Sequence, residues 1–356
     1  MTYEEVFRDV AAGLREIQSR MQAILDTSAI PVDDAFKSTI KYPGKLLRPG
    51  LLLLSAKSGK EPALERAIAL GCSVEMLHVA TLLHDDVIDG SCLRRQMPTA
   101  ARSLGDNCSV LLGDYLFARS LKLLAESREF DSLLPIARAV EACAEGELLE
   151  QANLCNLALG IDEYMLINEK KTARLFEACC RLGATLGAFG DMAIESLAEF
   201  GLHFGLGFQI IDDLLDFVGD IASLGKPIYQ DLAHGVITLP TILALSVLSD
   251  GERDELDGLF SCHADRPSCA APLEYDREKM LKLREFINSS GALEATLNAA
   301  RGLFDEAKKM TERPGLPDIL RSKLDQLCSL MLEKGQIALA GFRESTTIEK
   351  KGLEQS

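Results

Sequence analysis

A chain of 356 residues with 47% apolar content can bury a core for one large domain or two modest ones. Its formal net charge of −16 lacks the basic footprint that nucleic-acid phosphates demand, and it also repels anionic lipid. Ten cysteines with no C-x-x-C pair and no clustering with histidine read as reduced thiols of a cytoplasmic protein, not as a disulfide scaffold.

Val6, Val10, Leu14, Ile17, Met21 and Leu25 recur three or four apart, which predicts one long amphipathic helix over residues 3–26. It is acidic and has neither a basic start nor an apolar middle, so it does not read as a signal peptide. No run reaches the ~20 apolar residues of a membrane span. After Pro31, Asp33 and Asp34 can cap a short helix reaching about Tyr42. PGKLLRPG, residues 43–50, is turn chemistry, so Lys45 and Arg48 ride a short segment between helices. On chemistry alone they read equally as solvated turn charges or as cations aimed inward.

The main helix is expected from about Ala63 to Asp89. Its apolar run ends in Asp85, Asp86 and Asp89, and Arg94 and Arg95 follow closely. Residues four apart share a helix face, so Asp85 and Asp89 point together at a cost of about 0.2–0.5 kcal/mol for the like-charged pair. Nothing basic lies within the run to relieve it. Hard oxygen ligands beside two guanidinium forks ask for a cation and an anion, and magnesium completed by phosphate oxygens satisfies both. His78 lies seven residues before Asp85 on nearly the same face, where a histidine is more often a satisfied core residue. His84 is expected to support the site indirectly.

A loop over residues 91–106 precedes helices expected at 107–126 and 130–153, the second carrying Glu145 and Glu147, with Asp114 and Glu145 as supporting, surface or helix-capping carboxylates. The next helix, with Asp162 as its N-cap, carries Lys171 and Thr172 midway, and Gly183, Gly187 and Gly190 imply close packing or a kink. An isolated Lys171 would read as a snorkelling surface lysine. Residues 200–220 then repeat the acidic motif, with Asp212 and Asp216 four apart and Asp213 adjacent. One such motif could be a solvated face. Two on apolar helices make sense if they face each other across metal-bound diphosphate. A loop with Lys226 and Asp231 leads to further helices, a polar insertion at 262–274 and a last helix over about 316–341. Strand patterns, repeats and long linkers are absent from the sequence. The expected fold is therefore all-α, a single-domain helical bundle around a central cavity over residues 1–342, with a polar, disordered tail at 343–356.

Seven segments give the chain a resemblance to the all-trans isoprenyl diphosphate synthases of the polyprenyl synthetase family. They are GKLLRP (44–49), LLHDDVID followed by LRR, GDYLFA (113–118), EGELLEQ (145–151), KTARLF (171–176), FQIIDDLLD (208–216) and GKP (225–227), in family order between about residues 40 and 240. The resemblance implies an isoprenoid-synthase bundle, a homodimer, and head-to-tail transfer of an allylic diphosphate onto isopentenyl diphosphate. It implies that Asp85, Asp89 and Asp212 bind magnesium, up to three ions once diphosphate is bound, with Asp86, Asp213 and Asp216 completing the catalytic motifs. It assigns Lys45, Arg48, His78 and Arg95 to isopentenyl diphosphate, and Arg94, Lys171 and Lys226 to the allylic diphosphate. Thr172 and the backbone around Lys171 would supply dipoles to a developing cation, and Gln209 would help position the allylic substrate. No side chain in these motifs is an obvious base, which leaves released diphosphate as the expected proton acceptor.

One helical pitch, about 5.4 Å, is roughly one isoprene unit. The turn before Asp85 presents Ala80 and Thr81, both small where family members that stop at fifteen carbons often place aromatic rings. Met76 and Leu77 lie one turn deeper, and a flexible methionine makes only a partial floor. A lipophilic product longer than fifteen carbons is expected, unless the small residues serve helix packing and another helix forms the floor. Gln96 and Met97, Tyr229 and Val236 depart from the family's usual Gly-Lys, glycine and lysine. Two rival readings are a non-catalytic partner subunit, which would usually lose the acidic motifs, and a class I terpene cyclase, which would normally carry an Asn-Ser-Glu type second site.

Overall fold

In the computed structural model the described residues are 2–26, 44–60, 63–94, 97–219, 229–248 and 286–353. Arg95, Gln96, Lys226, the caps at Asp33 and Asp34, and the 262–274 insertion lie outside them. The elements are α1 (Tyr3–Val6), a 3-10 turn (Arg8–Val10), α2 (Ala11–Asp26), α3 (Leu47–Lys57) and α4 (Leu64–Ile88). A hairpin of β1 (Leu93–Arg94) and β2 (Met97–Pro98) precedes α5 (Ala100–Leu104), α6 (Asp106–Ser127) and α7 (Phe130–Ala152). Next come α8 (Ile161–Asn168), a π-helical turn (Glu169–Ala173), α9 (Arg174–Leu186) and α10 (Asp191–Val218). The described chain ends with α11 (Gln230–Ala233), α12 (Leu239–Ser246), α13 (Ala292–Thr311) and α14 (Asp318–Leu353).

The all-α expectation holds. The strands differ from it only as a two-residue antiparallel ladder pairing Leu93 with Pro98 and Arg94 with Met97. Boundaries differ where local chemistry overrides periodicity. The first helix breaks at Phe7, whose buried ring takes the chain into a 3-10 turn before α2. Pro49 is accepted in the first turn of α3, so Arg48 sits inside a helix and not on a turn. Gly160, not Asp162, is the N-cap of α8. The last helix continues to Leu353 through the segment expected as a disordered tail, and no glycine or proline interrupts it between Phe342 and Lys351.

Helix α4 is apolar around its whole circumference because neighbours cover it: α3 and α2 on one side, α6 on the other. By length and composition it could cross a membrane, contrary to the sequence reading, with a mean hydropathy of 1.4 over its most apolar window. That window is 72% buried inside the bundle, as a soluble core helix would be. Helix α10 runs beside α9 and α13 around an aromatic core in which Phe204 meets Phe176 edge-on at 5.5 Å and Phe304 at 5.9 Å.

Of the three glycines, Gly187 and Gly190 end α9 and begin α10, while Gly183 serves close packing. A Cβ on Gly183 would stand 2.3 Å from the Leu52 carbonyl oxygen of α3, a backbone atom that cannot rotate away. Gly183→Ala should therefore destabilise the protein by about 1–3 kcal/mol despite alanine's better helix propensity, read as a lower urea midpoint at unchanged m-value.

Candidate active site

The two acidic motifs end their helices at one cavity, lined by Asp89, Glu150, Lys171, Gln209, Asp213 and Asp231 among others. Lys171 is its centre. The π-helical turn widens the backbone where Lys171 and Thr172 sit, and Gly146 of α7 lets that turn approach. A Cβ on Gly146 would lie 2.5 Å from the Lys171 backbone nitrogen. The Lys171 ammonium then donates to Glu147 at 2.7 Å and to Glu150. Burial works against its charge, but Glu150, Glu147 and Asp85 outweigh it and hold its pKa above the ordinary lysine value.

Asp85 and Asp89 face the same interior. Burial and the Glu147 charge, joined by Asp89 for Asp85 and by Glu150 for Asp89, push their carboxyls up to about 7 and about 6, although Lys171 and Arg94 oppose the shift. Such crowding of hard oxygen donors favours a divalent cation. Among the described residues no three ligands converge tightly enough to hold a metal alone, so substrate phosphate oxygens would complete the shell.

The remaining carboxylates divide differently from the sequence reading. Asp86 is 2% exposed and accepts from Arg94 Nε at 2.9 Å and Nη2 at 2.8 Å, which fixes that guanidinium beside Asp85 and Asp89. Asp212 is exposed, and its charge adds to burial in pushing the Tyr3 phenol up to about 12, which places the N-terminal turn near the second motif. Both oxygens of Asp213 are engaged: Tyr164 donates its hydroxyl to one and Gln209 Nε2 donates to the other at 2.8 Å, while Thr172 donates to Gln209 Oε1 at 2.8 Å. Asp216 does not share an open face with Asp212. It is fully buried, because the chain returns over it after α10, with its carbonyl accepting from the Tyr229 N–H at 2.8 Å and its carboxylate from the Asp231 N–H at 3.2 Å.

On the other side of the cleft, Arg48 and His78 come together as their motifs predict, with Nη1 3.2 Å from the His78 Nε2 and the guanidinium 4.5 Å above the Phe176 ring. Lys45 is exposed at the start of α3. Met76, Leu77 and Ala80 are buried along α4, and the part-buried Thr81 donates to the His78 carbonyl at 2.8 Å. His84 sits 3.6 Å from Asp114, and Glu145 pairs outward with Lys170. Tyr229 adopts a left-handed conformation at φ 62°, which explains a glycine preference there, and Val236 lines the cavity where a lysine was expected. Sequence reasoning missed Glu150 and Tyr164. The spacing of Glu147 and Glu150 marks a shared helix face, but only the tertiary fold brings Lys171 to it.

This geometry coincides with a described family. The polyprenyl synthetase profile matches residues 31–273. The chain belongs to the polyprenyl synthetase family. It is 33% identical over 331 residues to an all-trans-nonaprenyl-diphosphate synthase (geranyl-diphosphate specific) of Rhodobacter capsulatus, covering 91% of this chain and 98% of the relative. It is 33% identical over 250 residues to the chloroplast solanesyl diphosphate synthase 2 of Arabidopsis thaliana, covering 69% of this chain but only 60% of that protein's length. The crystal structure of a polyprenyl synthase from Caulobacter crescentus, complexed with calcium and isoprenyl diphosphate, superposes with a TM-score of 0.85 at 32% identity, covering 93% of this chain and 97% of the other. As a member of this family the protein is a prenyltransferase with the isoprenoid-synthase fold.

The Asp213 network is testable apart from turnover. Tyr164→Phe removes a single hydroxyl and leaves a buried carboxylate short of a donor, so it should cost about 1–3 kcal/mol in urea denaturation. An unchanged midpoint would show that Asp213 does not depend on that bond.

Proposed function

We propose that the protein extends an allylic diphosphate with isopentenyl diphosphate, head to tail, to an all-trans polyprenyl diphosphate longer than fifteen carbons. The observation that carries this reading is the single cavity onto which both acidic motifs and Lys171 open, inside a fold shared with long-chain synthases. Asp85, Asp89 and Asp212 would hold magnesium, up to three ions with diphosphate bound, and magnesium supplies positive charge to the departing diphosphate. Arg94, Lys171 and Lys226 bind that same group. Lys45, Arg48, His78 and Arg95 hold isopentenyl diphosphate so that its double bond faces the allylic carbon. Bond formation leaves a tertiary cation, a proton is lost to released diphosphate, and the chain is one isoprene unit longer.

The small side chains of Ala80 and Thr81 support growth past fifteen carbons, with Met76 and Leu77 one turn deeper. A homodimer is favoured by apolar surface on two neighbouring helices: α6 exposes Leu111 at 66% and α7 exposes Leu134 at 56%, with Val110, Leu121 and Phe130 also outside. The eight described cysteines are free thiols, which supports a cytoplasmic setting.

Purified protein given farnesyl diphosphate, isopentenyl diphosphate and magnesium should release diphosphate and form linear products above fifteen carbons by mass spectrometry. Asp212→Asn should lower kcat by about a hundredfold or more without moving the melting temperature, since the side chain is exposed. Cyclic hydrocarbon instead of a chain would overturn the synthase reading. Paired substitution of Leu111 and Leu134 by glutamate should convert dimers to monomers in light scattering, whereas dimers that persist would move the interface elsewhere.

A further inference from the structure

The N-terminal turn is fastened around the segment that carries Lys45. Thr2 and Glu5 close a capping box on α1. Val6 and Phe7 are 0% and 2% exposed, and the Phe7 ring packs onto Gly50 of α3. Lys323 of α14 donates to the Val6 carbonyl at 3.0 Å and pairs with Asp9 at 2.8 Å, while Lys57 of α3 donates to the Asp9 carbonyl. These ties hold the turn between α14 and α3.

They also deliver one aromatic side chain to a proposed substrate ligand. The Lys45 ammonium stands 4.5 Å from the centroid of the Tyr3 ring and donates to the Tyr3 hydroxyl at 3.2 Å, while that hydroxyl donates to Met331 of α14. An exposed lysine on a four-carbon stem samples many rotamers. A ring face and an acceptor oxygen narrow that choice, and the hydroxyl takes one of the ammonium's three donors.

We propose that Tyr3 is a positioning residue for the condensation, holding the Lys45 ammonium in place for the diphosphate of the homoallylic substrate. The N-terminal turn thereby becomes part of the isopentenyl diphosphate subsite, with Phe7 and Lys323 as its anchors. The inference rests on the reading of Lys45 as a ligand of that diphosphate.

Steady-state kinetics of the full-length protein with each substrate varied in turn tests it. Tyr3→Leu should raise KM for isopentenyl diphosphate about two- to fivefold, leaving KM for the allylic diphosphate, kcat and the melting temperature near wild type. Tyr3→Phe keeps the ring and should recover most of the loss. Lys45→Ala should raise the same KM further, and Tyr3→Leu added to it should have no additional effect. An unchanged KM in Tyr3→Leu alongside a raised KM in Lys45→Ala would overturn the positioning role alone. An unchanged KM in Lys45→Ala would overturn the reading of Lys45 and the inference with it. Both KM values rising together, or kcat falling with the melting temperature, would make Tyr3 a packing residue and overturn the proposal as well.

Discussion

A buried ammonium among carboxylates is the interaction on which the rest of the site depends. Asp85, Asp89 and Glu150 converge on the interior of the bundle, and burial makes each costly to ionise there without a counter-charge. Lys171 supplies that charge, and the backbone is adapted to deliver it. The π-helical turn and the missing Cβ of Gly146 bring the main chain close enough for a long side chain to reach Glu147 and Glu150. Ion pairs in such a place give little net stability, since desolvation offsets the attraction. On the proposed reading, their value is that the cation is held in the cavity, where an arriving diphosphate would compete with Glu147 and Glu150 for it.

Neighbouring carboxylates in one motif do different work because a helix turns by 100° per residue. Asp89 lines the cavity and Asp85 feels the charge of Lys171 there, while Asp86 faces the hairpin and holds Arg94. In the second motif Asp212 stays open, Asp213 is engaged by Tyr164 and Gln209, and Asp216 ties down the returning chain. On the proposed reading, three of the six aspartates would hold metal, while the other three arrange their surroundings. The Thr172–Gln209–Asp213–Tyr164 chain matters here, since it locks the amide of Gln209 in one orientation and links the π-helical turn to the face of α10 next to Asp212.

Much of this was legible in the sequence, for identifiable reasons. Apolar periodicity located α4, α6 and α7 to within a residue or two, because these helices are long and amphipathic or wholly buried. Four-residue spacing paired Asp85 with Asp89 correctly. The same rule failed for Asp212 and Asp216, since it describes a free helix and cannot register the loop that comes back over Asp216. Arg48 was read on a turn because proline and glycine surround it, yet proline is well suited to a first helical turn and the helix begins before it. Glu150 left only its three-residue spacing from Glu147 as a local signal, and Tyr164 and Tyr3 left none at all. Their roles arise from contacts across 21, 49 and 42 residues of chain, to Lys171, Asp213 and Lys45 respectively.

The packing of α4 also bears on where a growing prenyl chain can run. On its α6 side, Ser73 and Ser120 exchange hydrogen bonds, with their hydroxyls 2.6 Å apart, and Ser109 donates to the Leu83 carbonyl at 3.0 Å. Helices joined through serines at this distance leave no corridor between them. The open side is the one that Asp85 and Thr81 share, four residues apart on a single face. There the Thr81 hydroxyl is turned back onto the His78 carbonyl, so its hydrogen is already satisfied within the helix. A chain growing along this face of α4, as proposed, would pass Thr81 and then Leu77 one turn on. On the proposed reading, whatever stops elongation must lie at or beyond the level of Met76 and Leu77.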